Sequence, residues 1–125
     1  MLAEVQDRGK PLQKLMGMDL IPKNNKVEPE CFNWYGWGRL IMFLQENNCD
    51  TSALSGSNDG EYIPAGVCHA IADCIEQYID LYVFEMEPDV AYGPNATPES
   101  VTQDTRSYYK STIPFWRNCG GCYQY

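Results

Sequence analysis

The feature that most constrains this chain is one unbroken apolar stripe: Val67, Ile71, Ile75, Tyr78, Ile79 and Tyr82. Residues three and four apart share one face of an α-helix, and Asp73, Glu76, Gln77 and Asp80 fall largely on the other side. A helix divided in this way must bury its stripe against other elements. The spacing therefore predicts a core-facing helix, and Pro64 suits its first turn, where an amide hydrogen would have no partner anyway.

Two further helices can supply the cover. One begins at Asn33, a good cap residue, and carries Trp34, Trp37, Ile41 and Leu44 at helical spacing, with Leu40 and Phe43 widening the stripe. It stops at Asn47-Asn48, where short polar side chains tolerate a left-handed turn. Gly36 and Gly38 each cost up to about 1 kcal/mol against alanine there, which points to close approach by another segment. The other helix starts at Thr97-Pro98-Glu99, which places a cap, a first-turn proline and an acid at the positive helix end. It runs to Asn118, with a kink or restart at Pro114.

The remainder is connective. Residues 1–14 read as a flexible lead-in, residues 22–29 and 49–62 as loops, and 85–96 as a linker broken by Pro88, Gly93 and Pro94. Met16 to Ile21 forms a short strand that can pair with the closing Cys119–Tyr125 segment. The expected fold is mainly α. About three helices pack around an aromatic core of Trp34, Trp37, Ile41, Leu44, Ile71, Ile75, Ile79 and Trp116, with a small two-stranded β element joining residues 16–21 and 120–125. The 125 residues suit one domain, spanning 15–125.

Seventeen acidic against nine basic residues leave a net charge of −8. Phosphate backbones are gripped by lysine and arginine, and no basic stripe exists here, so nucleic acid is excluded as a partner. The acidity favours solubility and would steer a basic protein surface inward. The N-terminus has no apolar signal segment and no stretch is long enough for a membrane span. A cytoplasmic protein with reduced thiols is expected, and no membrane partner.

Several residues suggest chemistry. Cys119-Gly-Gly-Cys122 can close a redox disulfide or supply half of a zinc site. No helix follows it to activate a thiolate, and zinc would need Cys31 or Cys68 in addition. Buried cysteines more often act as small hydrophobes. Cys119 and Cys122 are therefore a weak metal alternative beside the expectation of no metal and no cofactor. His69, the single histidine, has no recognisable catalytic partner. Ser55 to Gly60 resembles part of a calcium loop, but Ser55 and Gly66 occupy the positions that need carboxylates. Asn58-Asp59-Gly60 reads as a turn. The aromatic run Phe32 to Trp37 is a core wall, or alternatively a hot spot, since tryptophan and tyrosine dominate binding hot spots.

Gly17-Met-Asp19, Asn33-x-Tyr35-Gly-Trp37-x-x-Leu40, Asn58-Asp-Gly60, Ala70-Ile-Ala-Asp73 and Phe115-x-x-x-Cys119-Gly-Gly121 together resemble a family of small uncharacterised bacterial and phage-type proteins. The likeness covers residues 16–79 and 108–122. This chain departs in having Gly38-Arg39 where the family has Arg-Pro, and Cys122 where it has an aromatic residue. The resemblance implies no reaction.

These features favour a non-enzymatic, inhibitor-type interaction protein of phage or mobile-element origin that binds a basic partner, with a homo-oligomer as a further form. Trp34, Tyr35, Trp37, Arg39, Asn58 and Asp59 are its candidate partner- or ligand-binding residues. A small enzyme or ligand-binding module using those same residues is the first alternative, and a zinc-stabilised domain is the second.

Overall fold

The computed structural model describes residues 17–125, so the lead-in expected over 1–14 lies outside the described residues. Three long helices, a short fourth and a four-stranded antiparallel sheet make up the architecture of the described residues. The strands are β1 (Gly17–Pro22), β2 (Glu30–Asn33), β3 (Tyr62–Ile63) and β4 (Cys122–Gln124). The helices are α1 (Trp34–Glu46), α2 (Ala65–Tyr78), α3 (Pro98–Ser111) and α4 (Ile113–Asn118), and a single 3₁₀ turn over Ile79–Leu81 extends α2.

The sheet is twice as wide as the sequence suggests. Its order is β2-β1-β4-β3. The expected pairing of β1 with the chain end is present, with Leu20 opposite Gln124 and Pro22 opposite Cys122. The flanking strands were read as loop and helix start because four and two residues are too few to display a period of two. β1 is central, and Met18 and Leu20 point into the core beneath the helices.

Helix ends follow local chemistry. Asn33 accepts the Gly36 N–H at 2.6 Å, and Asn48 takes the left-handed conformation at the other end of α1 (φ 63°). Thr97 and Ser100 form a reciprocal capping box at the start of α3. The expected single third helix divides at Thr112, two residues before Pro114. That split lets α4 turn across α2, where Arg117 pairs with Asp73 at 2.8 Å and Glu76 at 2.5 Å.

The core holds Trp37, Leu44, Ile71, Ile75, Ile79 and Trp116 as expected, while Trp34 and Ile41 are only partly buried against its edge. Phe32, of the aromatic run read as a core wall, is buried beside them, as are Phe84, Tyr109 and Phe115, which were not anticipated. The Phe32 ring lies 5.4 Å from Trp37 and 6.5 Å from Trp116. Tyr109 donates its hydroxyl to the Gly36 carbonyl at 2.6 Å, but a Cβ at Gly36 would meet only the Asn33 side chain, so no other segment makes the close approach expected there. Around Gly38 the space is open.

The thiols are not all reduced. Cys49 and Cys74 form a disulfide that fastens the loop after α1 to α2. Cys31 is exposed, and Cys68, Cys119 and Cys122 are buried and unpaired by disulfide. No helix among the described residues is long and apolar enough to cross a membrane.

Candidate functional site

A strap of residues 82–87 crosses between α1 and α3 and shapes a groove on the surface. The strap is fastened from one side by Thr102, whose hydroxyl accepts the Phe84 N–H at 3.0 Å and donates to the Phe84 carbonyl at 3.1 Å. Arg106 adds two hydrogen bonds to the Tyr82 carbonyl, at 3.0 and 2.8 Å. On the other side Tyr82 donates to Glu46 of α1 at 2.6 Å. Phe84 is buried, its ring 6.2 Å from Phe43 and 5.6 Å from Tyr109. Anchored on both sides, the strap loses little freedom when something binds to it.

The groove measures about 250 Å³ and is lined by Arg39, Met42, Glu46, Tyr82 to Glu85, and Glu87. Met42 and Val83 are apolar and well exposed, at 52% and 63%. Three acidic residues, Glu46, Glu85 and Glu87, line the same groove. Arg39 is committed inward: its guanidinium lies 5.1 Å from the Tyr35 ring and 5.4 Å from the Phe84 ring, and it donates to the Tyr35 hydroxyl. Burial, aided by the Glu46 hydrogen bond, pushes the Tyr82 phenol up to about 12.

A second polar chain leads off the groove. The Glu87 N–H donates to the Tyr92 hydroxyl at 2.8 Å, and that hydroxyl shares a hydrogen bond of 2.8 Å with Tyr35. Burial and the Tyr92 hydrogen bond raise the Tyr35 phenol above its ordinary range. At Tyr92 burial pulls upward too, but the hydrogen bonds from Tyr35 and Glu87, with Arg39 nearby, hold its phenol below that range. These contacts fix the mouth of the groove against the 88–96 linker.

The six residues singled out from sequence do not converge. Arg39 lines the groove with Tyr35 beside it, and Trp34 is half-buried at the start of α1. Trp37 is buried, with its indole N–H donated to the Ser55 carbonyl at 2.8 Å, so it anchors the 53–61 loop. Asn58 and Asp59 lie on that loop, which docks on the chain end through the Gly60 N–H to the Gln124 carbonyl at 2.6 Å. The groove includes neither. Met42, Glu46 and Glu85 were missed, because exposed residues on an amphipathic helix or a linker carry no pattern to mark them. His69 is exposed on α2.

On the opposite side, three thiols meet. Cys68 of α2, Cys119 at the end of α4 and Cys122 of β4 have sulfur atoms all within 4.8 Å of one another, each fully buried. Gly120 and Gly121, both at positive φ (70° and 97°), reverse the chain between the last two. Glycine adopts such angles without steric cost. Hydrogen bonds from Cys122, Cys68 and the Gly121 N–H hold the Cys119 thiol far down, at about 3. Its proximity pushes Cys68 and Cys122 upward. The Cys119-Gly-Gly-Cys122 spacing was legible in the sequence; the approach of Cys68 depends on how α2 packs on α4.

Searches against protein-family models, curated proteins and solved structures found no match for this chain.

Proposed function

We propose that the protein is a non-enzymatic interaction module of the inhibitor type, and that the groove between α1 and the 82–87 strap takes a basic segment of a protein partner. One observation carries this reading: exposed Met42 and Val83 line the same groove as Glu46, Glu85 and Glu87. That pattern suits an arginine or lysine beside an apolar residue. The apolar floor would cover the side-chain stem, and the carboxylates would take its charged head.

Size supports a protein segment over a small metabolite. Pockets for whole small molecules run from roughly 300 to 1,000 Å³, and this groove is smaller. The net charge of −8 adds long-range attraction and faster encounter with a basic surface. A second copy of this chain would bring the same charge and is disfavoured as the occupant. Phage or mobile-element origin, implied by the family resemblance, suits an inhibitor of a basic host protein.

Cytoplasmic placement belongs to the same proposal. The Cys49–Cys74 bond weighs against it, since disulfides are rare in reducing compartments. Alkylating the thiols in intact cells before lysis settles the matter: Cys49 and Cys74 recovered as a bonded pair would overturn the cytoplasmic assignment.

Chemical-shift mapping with a short arginine- and leucine-containing peptide tests the groove. Shifts should centre on residues 39–46 and 82–87. Shifts scattered over all acidic surfaces, or none at all, would contradict the proposal.

A further inference from the structure

We propose that Cys68, Cys119 and Cys122 form a three-thiolate site for a soft, thiophilic d¹⁰ metal ion, with copper(I) as the fitting case. The site does not depend on the groove or on the interaction reading, since the two share no residue.

Three independent parts of the chain deliver the sulfur atoms: the second turn of α2, the end of α4 and the start of β4. The Cys68 and Cys122 sulfurs stand 4.0 Å apart. A metal–sulfur bond of about 2.3 Å would set sulfurs of a flat, three-coordinate site about 4.0 Å apart by trigonometry. The Cys68–Cys122 edge has that length, and with all three sulfurs within 4.8 Å of one another an ion at the centre of the triangle requires shifts under about 1 Å. Gly121 is required at its place, because a Cβ there would run into the Tyr62 phenol.

The donor set selects the ion. All three ligands are sulfur and fully buried, and no histidine or carboxylate joins the cluster among the described residues. Zinc in structural sites takes four ligands almost without exception. A fourth donor here would have to be water in a dry, apolar surround. Soft thiolates favour copper(I), which is content with three. The opposing account is that these are core thiols, since Cys68 and Cys119 also lie 3.8 Å from the Ile63 and Trp116 carbonyls, within reach of weak S–H donation.

Copper(I), kept reduced with ascorbate, is titrated into the full chain against a copper(I)-specific chelator, with zinc(II) in parallel. One equivalent of copper(I) should be retained, with a thiolate-to-metal absorption band and an X-ray absorption spectrum showing three sulfur neighbours. C31S should bind as the wild type does. C68S should lose the band, with circular dichroism reporting whether it folds. If C68S is unfolded, the sulfur count on wild-type protein decides alone. Failure to hold copper(I) against the chelator, a folded C68S that binds unchanged, or tight zinc(II) with fewer than three sulfur neighbours each overturns the assignment.

Discussion

The Tyr82 hydroxyl donates to the Glu46 carboxylate at 2.6 Å, a bond that ties the 82–87 strap to α1 and closes one end of the groove. Tyr82 also packs edge-on to Phe43 and Phe84, with ring centroids 5.0 and 4.8 Å away. Y82F keeps the ring contacts and removes only the hydrogen bond. A partly exposed, charge-assisted bond of this kind contributes about 1 kcal/mol, so denaturant melts should show a loss near that size. The freed Glu46 should leave affinity for a basic peptide equal or higher, measured by titration of the same variant.

Stability should fall at alkaline pH. Burial raises the Tyr109 phenol above its ordinary value, and burial with the Glu46 bond raises Tyr82 to about 12. In the unfolded chain both ionise near pH 10. Above that point the folded protein keeps protons that the unfolded chain releases, so stability declines as pH rises. Each such group contributes a slope of up to about 1.4 kcal/mol per pH unit. Melting curves between pH 9 and about 12 should show the midpoint falling steadily above about pH 10. A midpoint that stays constant across that range would contradict this.

The Cys49–Cys74 bond closes a loop with a sequence separation of 25. Chain-entropy arguments assign such a loop about 3 kcal/mol. The C49S/C74S double variant should lose stability of that order in urea unfolding while its circular dichroism stays native-like. A change under about 1 kcal/mol would mean that the cross-link does little to restrict the unfolded chain.

Gln124 is fully buried and spends both ends of its carboxamide. Its Oε1 accepts the Ser55 N–H at 2.7 Å, and its Nε2 donates to the Ala53 carbonyl at 2.9 Å. Q124L would strand a backbone N–H and a carbonyl, at about 1–3 kcal/mol for each buried group left unpaired. Hydrogen exchange at the Ser55 amide should accelerate markedly in that variant. Unchanged exchange would show that the loop is held by Trp37 and its bond to the Ser55 carbonyl instead.

How much of this was legible in the sequence differs from element to element. The α2 stripe, the Asn33 cap and the Thr97-Pro98 start are local signals, written within one or two turns, and the structure follows them except at Tyr78, which is exposed at the end of α2. β2 and β3 have no such signal, because strands this short are specified by their neighbours in the sheet. Phe84 carries no local signal, since its burial depends on Thr102 and α3 eighteen residues later. The 55–60 loop and the aromatic helix start stood out by composition. The structure separates them: Trp37 became an anchor for the loop, and only Tyr35 and Arg39 from the candidate set remained at the groove. The third thiol, Cys68, joins Cys119 and Cys122 only through tertiary packing of α2 on α4.

The central claim is that the groove, and not acidity in general, recognises a basic segment. Calorimetric titration of an arginine- and leucine-containing peptide into E46Q/E85Q/E87Q, and into a charge-matched control, E28Q/E61Q/D104N, separates the two. Both variants carry three fewer negative charges, but only the first removes those at the groove. The account predicts a loss of tenfold or more in the groove variant and less than threefold in the control, at about 2–3 kcal/mol for disrupted charge pairing. Equal losses in the two variants would contradict it.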